Sequence, residues 1–271
     1  MNLPFVEFYI TNVCNLACSN CNRFNNENTT GYVRFNKELY KPWADLYDID
    51  LIGIIGGEPT LHPYLGEWCS GIRDLWPDSN IVLTSNGTNI LKCKNLFAIC
   101  SENNVTFEIS FHDETIDQQI KQDIETFTQL HGTNWTPRIT EDWDMLMSDE
   151  GFSFYYTQAH HFYNNQIANW DLNNKPEPFN SNPDKAHANC GMKHSHTFYN
   201  GKLHKCGFIP SVDAFLNLHK AHDNYPKING YQPHIVGDDL SRLTQPEDIC
   251  SYCPERYKVS KVITGFKSEK V

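Results

Sequence analysis

The chain has 271 residues, of which 39% are hydrophobic and 13% aromatic, enough to bury a core as one larger domain or as one domain with a small appendix. Acidic residues outnumber basic ones by 33 to 22, and a net charge of -11 gives no electrostatic footprint for nucleic acid or an anionic membrane. No apolar run approaches a membrane span, and the opening MNLPFVEFYIT lacks a basic n-region and a cleavage site, so the expected location is cytoplasmic.

In chain order, the apolar and β-branched run from Phe5 to Ile10 predicts a strand. It stops at the stretch TNVCNLACSNCNRF, residues 11–24, which carries Cys14, Cys18 and Cys21 at C-x3-C-x2-C spacing. Three thiols on one short loop can converge on one metal centre, yet they are one short of the four that tetrahedral zinc or a fully ligated cluster uses. No fourth ligand is evident between Met1 and His62, and a zinc knuckle or buried structural thiols are the competing readings.

Leu39, Trp43, Leu46 and Tyr47 then predict a helix over 36–48. A strand over Leu51 to Ile55 follows and opens directly into Gly56-Gly57-Glu58-Pro59. Leu65, Trp68, Cys69, Ile72 and Leu75 place one apolar face on a helix over Pro63 to Trp76, with proline in its first turn. The strand Ile81 to Thr84 ends in Ser85-Asn86-Gly87. A helix over 91–101 precedes a strand over Val105 to Phe111, at whose end Ser110 and His112 are candidates to face a cofactor or substrate; a solvated strand end competes with that role. Ile116, Ile120, Ile124 and Phe127 mark a long helix whose stripe reads as core. Beyond Gly132 the expectations are a strand near Pro137 to Thr140, a short helix over 141–148 and a strand over Phe152 to Thr157. His160 and His161 follow it as candidates for substrate contact or proton transfer, with a surface pair the competing reading.

Alternating strands and helices call for a parallel sheet with right-handed crossovers. The cysteine loop, the Gly-Gly-Glu-Pro turn and the Ser-Asn-Gly turn each follow a strand. All three are therefore expected at the C-terminal rim, where parallel α/β folds build their sites. Residues 163–189 turn asparagine- and proline-rich and read as a linker or a loop across that mouth. Past it lie Cys190, Cys206, Cys250 and Cys253, with a hairpin expected from His196 to Asn200 and Lys202 to Cys206 around Gly201. Four thiols could complete a cluster or a zinc site without outside ligands. Cys69, Cys93 and Cys100 read as small buried side chains, and the Lys258, Lys261, Lys267 and Lys270 tail as a solvated end.

The cysteine stretch resembles the radical S-adenosylmethionine (SAM) enzymes, and the strand-end turns match that resemblance. It implies an α/β fold, a partial (β/α)6 TIM-like barrel over 1–162. It also implies a 4Fe-4S cluster on Cys14, Cys18 and Cys21, whose open iron takes the methionine part of S-adenosylmethionine. Gly56, Gly57, Glu58 and Pro59 resemble the motif for the amino group of that cofactor, and a carboxylate at 58 could accept a charge-assisted bond from an ammonium. Ser85 and Asn86 match the place where relatives bond its ribose or carboxylate, and Ser110 lies at the same rim.

Relatives often carry an aromatic residue just before the third cysteine, packed on adenine. Asn20 stands there instead. Phe24 or another aromatic is the substitute, with the contact unassigned.

Residues 190–271 resemble the twitch domain, the shorter relative of the SPASM domain, which implies a small hairpin-plus-helix unit with an auxiliary 4Fe-4S cluster on Cys190, Cys206, Cys250 and Cys253. Structural zinc or unrelated thiols are the alternatives.

The implied activity is reductive cleavage of S-adenosylmethionine, hydrogen abstraction by the 5'-deoxyadenosyl radical and net oxidation of a small molecule. A flavodoxin or ferredoxin is the expected electron donor. A peptide-modifying maturase is the runner-up, and a non-catalytic metal-binding scaffold is the contrasting class. A strand beginning so near Met1 is expected to leave no room for a leader-binding module.

Overall fold

Apolar runs of five to eight residues bounded by turn chemistry become strands here, and the amphipathic stretches between them become the crossover helices. The computed structural model describes residues 2–19, 21–25, 31–132, 134–139, 144–159, 161–163, 166–256, 259–262, 264 and 266. The first half alternates β1 (Asn2–Tyr9), α1 (Lys37–Ala44), β2 (Asp48–Ile55), α2 (Leu65–Leu75), β3 (Asn80–Ser85), α3 (Leu96–Glu102), β4 (Val105–Phe111) and α4 (Glu114–His131). Then come β5 (Trp135–Ile139), β6 (Asp144–Ser148), β7 (Ser153–Gln158), β8 (His161–Tyr163), β9 (Asn169–Trp170) and β10 (Pro176–Glu177). The chain closes with α5 (Pro183–Ala188), β11 (His196–Tyr199), β12 (Lys202–His204), α6 (Phe208–His219) and β13 (Val259–Lys261).

Caps set the helix limits. Asn36 accepts the amide of Glu38 and starts α1, Asp113 does the same for Thr115 at α4, and Gly132 at φ +58° ends α4. Elsewhere the boundaries are tighter than periodicity predicts. Asn95 sits at φ +60° immediately before α3, which delays that helix to Leu96. Pro63 precedes α2, which begins at Leu65.

The main sheet has nine strands in the order β12-β11-β1-β2-β3-β4-β7-β6-β5. The six from β11 to β7 run parallel, giving the partial α/β barrel, while β12, β6 and β5 are joined to its edges by antiparallel pairing. The helix expected over 141–148 is not there. Residues 140–143 lie outside the described residues, and Asp144–Ser148 is β6, held between β5 and β7. Both its edges are paired, and that pairing overrides the weak helical spacing.

The C-terminal hairpin joins the main sheet: Val6, Glu7 and Phe8 of β1 register with His196, Thr197 and Phe198 of β11. Phe198 enters the aromatic core beneath α1 and α2, 5.0 Å from Phe8 and 5.1 Å from Trp43 between ring centroids. Cys69 and Cys100 are fully buried in that core, and Cys93 packs against it. A second, smaller core gathers Phe208, Val212, Phe215 and Leu216 of α6 with Tyr225, Ile249 and Tyr252. Residues 166–177 pack on this second core: Tyr225 donates to the Gln166 carbonyl at 2.8 Å, and Trp170 lies against Phe215 and His219.

The lysine tail differs in part from a solvated end. Lys258, Lys267 and Lys270 lie outside the described residues and Lys261 is exposed, but β13 pairs with β8 and Val262 is buried on Leu16 and Cys18. No helix among the described residues is long and apolar enough to cross a membrane.

Replacing Phe198 with alanine is expected to cost about 3–5 kcal/mol of stability, read from chemical denaturation followed by tryptophan fluorescence. A loss within about 0.5 kcal/mol, the range of surface changes, would mean that the hairpin folds apart from the main sheet.

Candidate active site

Side chains alternate across each strand, so Phe8, Ile54, Leu83 and Ile109 face the helices while Glu7, Ile55, Thr84 and Ser110 face the other side. Those inward residues wall a cavity of about 260 Å3 at the C-terminal rim. Cys14, Cys18 and Cys21 line it together with Gly56, Gly57, Ser85, Asn86 and His112. Three separate stretches read from the sequence thus meet in one place.

The two glycines line the cavity and also have a structural role. Gly57 N–H donates to the Thr11 carbonyl at 2.8 Å and Glu58 N–H to the Val13 carbonyl at 2.7 Å, pinning the start of the cysteine loop on the end of β2. A methyl group at Gly56 would stand 2.6 Å from the Thr11 oxygen, and one at Gly57 2.3 Å from the Val13 oxygen. Only glycine lets the two backbones approach so closely.

Glu58 is a second support at this corner. Its carboxylate is fully buried and does not line the cavity. Oε1 accepts from Thr60 N at 3.0 Å, Thr60 Oγ1 at 2.5 Å and Ser85 Oγ at 2.7 Å, and Oε2 accepts from Asn86 N at 2.7 Å. Burial drives its pKa up while these donors oppose the rise. Through these bonds Glu58 braces the β2 turn against the end of β3. Pro59 is buried in the short 3-10 turn that follows and likewise does not line the cavity.

Asn86 turns the other way, donating to Asn15 Oδ1 at 3.1 Å and accepting from Thr88 N at 3.0 Å, which ties β3 to the cysteine loop. Ser110 bonds Thr157 across the β4–β7 pair at 3.1 Å and lines the cavity, as does His112. His160 lies outside the described residues, and only the backbone of His161 is described, in β8. Asn20 also lies outside them. Phe24 does not serve as an adenine platform: at 5% exposure it stacks on Phe215 at 4.1 Å inside the second core.

The cavity has residues that sequence reading missed: Glu7, Asn22, Arg23, Asn25, Thr84 and Met192. One signal was available for Glu7, a carboxylate inside an otherwise apolar strand. It pairs with Arg23 at 2.5 Å, both buried, and Thr197 Oγ1 donates to the same oxygen at 3.1 Å. A buried charge needs such a partner.

Cys190, Cys206, Cys250 and Cys253 also come together, around two adjoining cavities of about 30 Å3 each. Burial first and neighbouring thiols second push Cys206 up to about 12 and Cys253 well above the ordinary thiol value. Burial also raises Cys250. Cys206, Cys250 and Cys253 are therefore held as thiols at neutral pH, so metal binding to them must release protons.

Among the described residues no three His, Cys, Asp or Glu side chains converge on a single ion position. Ligands of one zinc ion stand within about 4 Å of each other, whereas Cys14, Cys18 and Cys21 surround a cavity and have soft donor atoms suited to an iron-sulfur group. Those residues fit the group. The second set fits by its four thiols, which line one small cavity.

No protein-family model and no curated protein matches this sequence. Among solved structures the chain is similar to BtrN in complex with AdoMet and 2-DOIA, at 13% identity and a TM-score of 0.50, over 93% of this chain and 92% of that one. That likeness is one of fold. The chain also aligns with Streptococcus suis SuiB bound to S-adenosylmethionine (12% identity, TM-score 0.36, 92% of this chain and 67% of that one). A histidine-tagged anSMEcpe with bound AdoMet aligns at 17% identity and a TM-score of 0.37, over 48% of this chain and 42% of that one.

Replacing Gly57 with alanine is expected to displace the cysteine loop and lower the iron held after anaerobic reconstitution by up to about four per chain. Iron analysis of the variant checks this; undiminished iron would contradict the role assigned to the close contact.

Proposed function

We propose that this chain is a radical S-adenosylmethionine enzyme that oxidises a small molecule. The observation that carries the reading is the meeting of Cys14, Cys18 and Cys21 with the Gly56-Gly57 and Ser85-Asn86 turns around one cavity at the C-terminal rim of a parallel sheet. Three soft ligands without a fourth leave room for an outside one. The cluster and S-adenosylmethionine, when bound, supply an electron and a 5'-deoxyadenosyl radical able to take a hydrogen atom from an unactivated carbon.

The chain's own residues supply position and shelter. Gly57 and Glu58 amides hold the thiol loop in register with β2, and Asn86 holds it to β3. Such fixing converts bound components into an aligned set, which can account for a large part of the barrier reduction. Leu16, Ile55 and Met192 are the apolar part of the cavity wall and exclude water from the reacting centre. Ser110 and His112 are proposed to face the substrate or cofactor there. The contribution of a proton acceptor is assigned to His112, from its place in the lining.

Cys190, Cys206, Cys250 and Cys253 are proposed to hold a second iron-sulfur cluster with all four positions filled by protein. Such a centre suits acceptance of an electron from the substrate, which favours a net oxidation. The proposed substrate is a small molecule rather than a peptide segment. The complex of BtrN with 2-DOIA, in a protein of matching fold and length, supports the same choice. A flavodoxin or ferredoxin is the proposed electron source.

Anaerobic reconstitution is expected to give about eight irons per chain, with dithionite-dependent formation of 5'-deoxyadenosine from S-adenosylmethionine. The variant with Cys14, Cys18 and Cys21 all replaced by alanine should lose that product entirely while keeping about four irons. Continued product formation in the variant, or none from the unmodified protein, would overturn the proposal.

A further inference from the structure

Arg23 stands between the two thiol sets. It lies two residues after Cys21 and lines the larger cavity, and it also lines the small one shared by Cys190, Cys206 and Cys253. Its side chain is 9% exposed, with Nη2 donating to Glu7 at 2.5 Å. The other amine, Nη1, is buried without a hydrogen-bond partner. It packs against the residue following Cys206 so closely that a methyl group on Gly207 would sit 1.5 Å from it.

A buried guanidinium N–H without an acceptor is costly. The same small cavity has a second N–H donor already turned to sulfur: Gln166 Nε2 donates to Cys253 Sγ at 3.4 Å, while Gln166 Oε1 is itself buried without a partner. On the far side Lys205, preceding Cys206, is held by the carbonyls of Arg242 and Leu243 at 3.0 and 2.7 Å and by that of Gln245. Two buried cations thus border the small cavities that the four thiols line.

We infer that Arg23 is a positioning residue joining the two sites, clamped by Glu7 on the wall of the larger cavity and presenting Nη1 to the sulfur ligands around Cys206. Cationic charge and hydrogen bonds to sulfur stabilise the reduced, more negative form of an iron-sulfur centre and so raise its reduction potential. Arg23 therefore tunes the second centre from the wall that it shares with the first. The inference rests on reading Cys190, Cys206, Cys250 and Cys253 as an iron-sulfur site.

The test uses the full chain with Cys14, Cys18 and Cys21 replaced by alanine, reconstituted so that only the second set takes iron, and titrated potentiometrically with EPR detection. Adding Arg23→Gln is expected to shift the reduction equilibrium about tenfold toward the oxidised form, which for one electron is about 59 mV. Arg23→Lys keeps the charge and the Glu7 partner but not the fork, and is expected to fall between. An unchanged potential in Arg23→Gln with iron content intact overturns the role of Arg23 and leaves the second site standing. Absence of iron before Arg23 is touched overturns the reading of the site itself. If Arg23→Gln fails to fold because Glu7 is left unpaired, Arg23→Lys decides: a partial shift supports the inference and no shift rejects it.

Discussion

The arrangement depends on one backbone contact, where the amides of Gly57 and Glu58 at the end of β2 reach the carbonyls of Thr11 and Val13 at the end of β1. Two neighbouring parallel strands are thereby joined beyond their ladder, and the loop between Cys14 and Cys21 emerges over the rim instead of folding back. Glycine at 56 and 57 makes the approach possible, since any Cβ would enter the partner backbone. Glu58 then fastens this corner to β3 through Thr60, Ser85 and Asn86, so that three strand ends are tied together. A fully buried carboxylate held by several donors is a support for the site.

The exit of the cysteine loop does a second task. Arg23, Phe24 and Asn25 point to three different parts of the molecule: the Glu7 and Thr197 pair across β1 and β11, the aromatic core of α6, and the Tyr9 hydroxyl, which donates to Asn25 at 3.0 Å. The second core is consequently not an appendage on a tether. It is packed on the loop that holds the first thiol set, and β11 extends the same sheet along β1. Electrostatics follow the same geometry, because the buried charge of Glu7 is neutralised by a residue that also borders the second thiol set.

Local patterns were legible in the sequence where a motif directly follows a strand. The strand at Phe5 to Ile10, the cysteine spacing and the glycine and asparagine turns all carry short-range signals, and topology alone then puts them on one rim. What was hidden depends on long-range partners. Nothing near residue 196 announces that its strand pairs with β1, some 190 residues earlier, and nothing in Asp144–Ser148 tells that both edges are covered. Phe24 looked available for an adenine because its burial arises only when α6 folds over it. The bonds that Glu58 accepts from Ser85 and Asn86 were hidden for a similar reason, because they come from the end of another strand. Arg23 carried no signal at all, since its meaning depends on Gly207 and Cys206 lying against it.

The central claim is that the loop of Cys14, Cys18 and Cys21 holds iron with one position open to a ligand from outside the protein. Mössbauer spectroscopy tests it most directly, on iron-57 protein in which Cys190, Cys206, Cys250 and Cys253 are alanine, before and after adding S-adenosylmethionine. About one iron in four should change its signal when the cofactor is added. Four irons indifferent to the cofactor, or a single metal ion saturated by side chains, would contradict the claim.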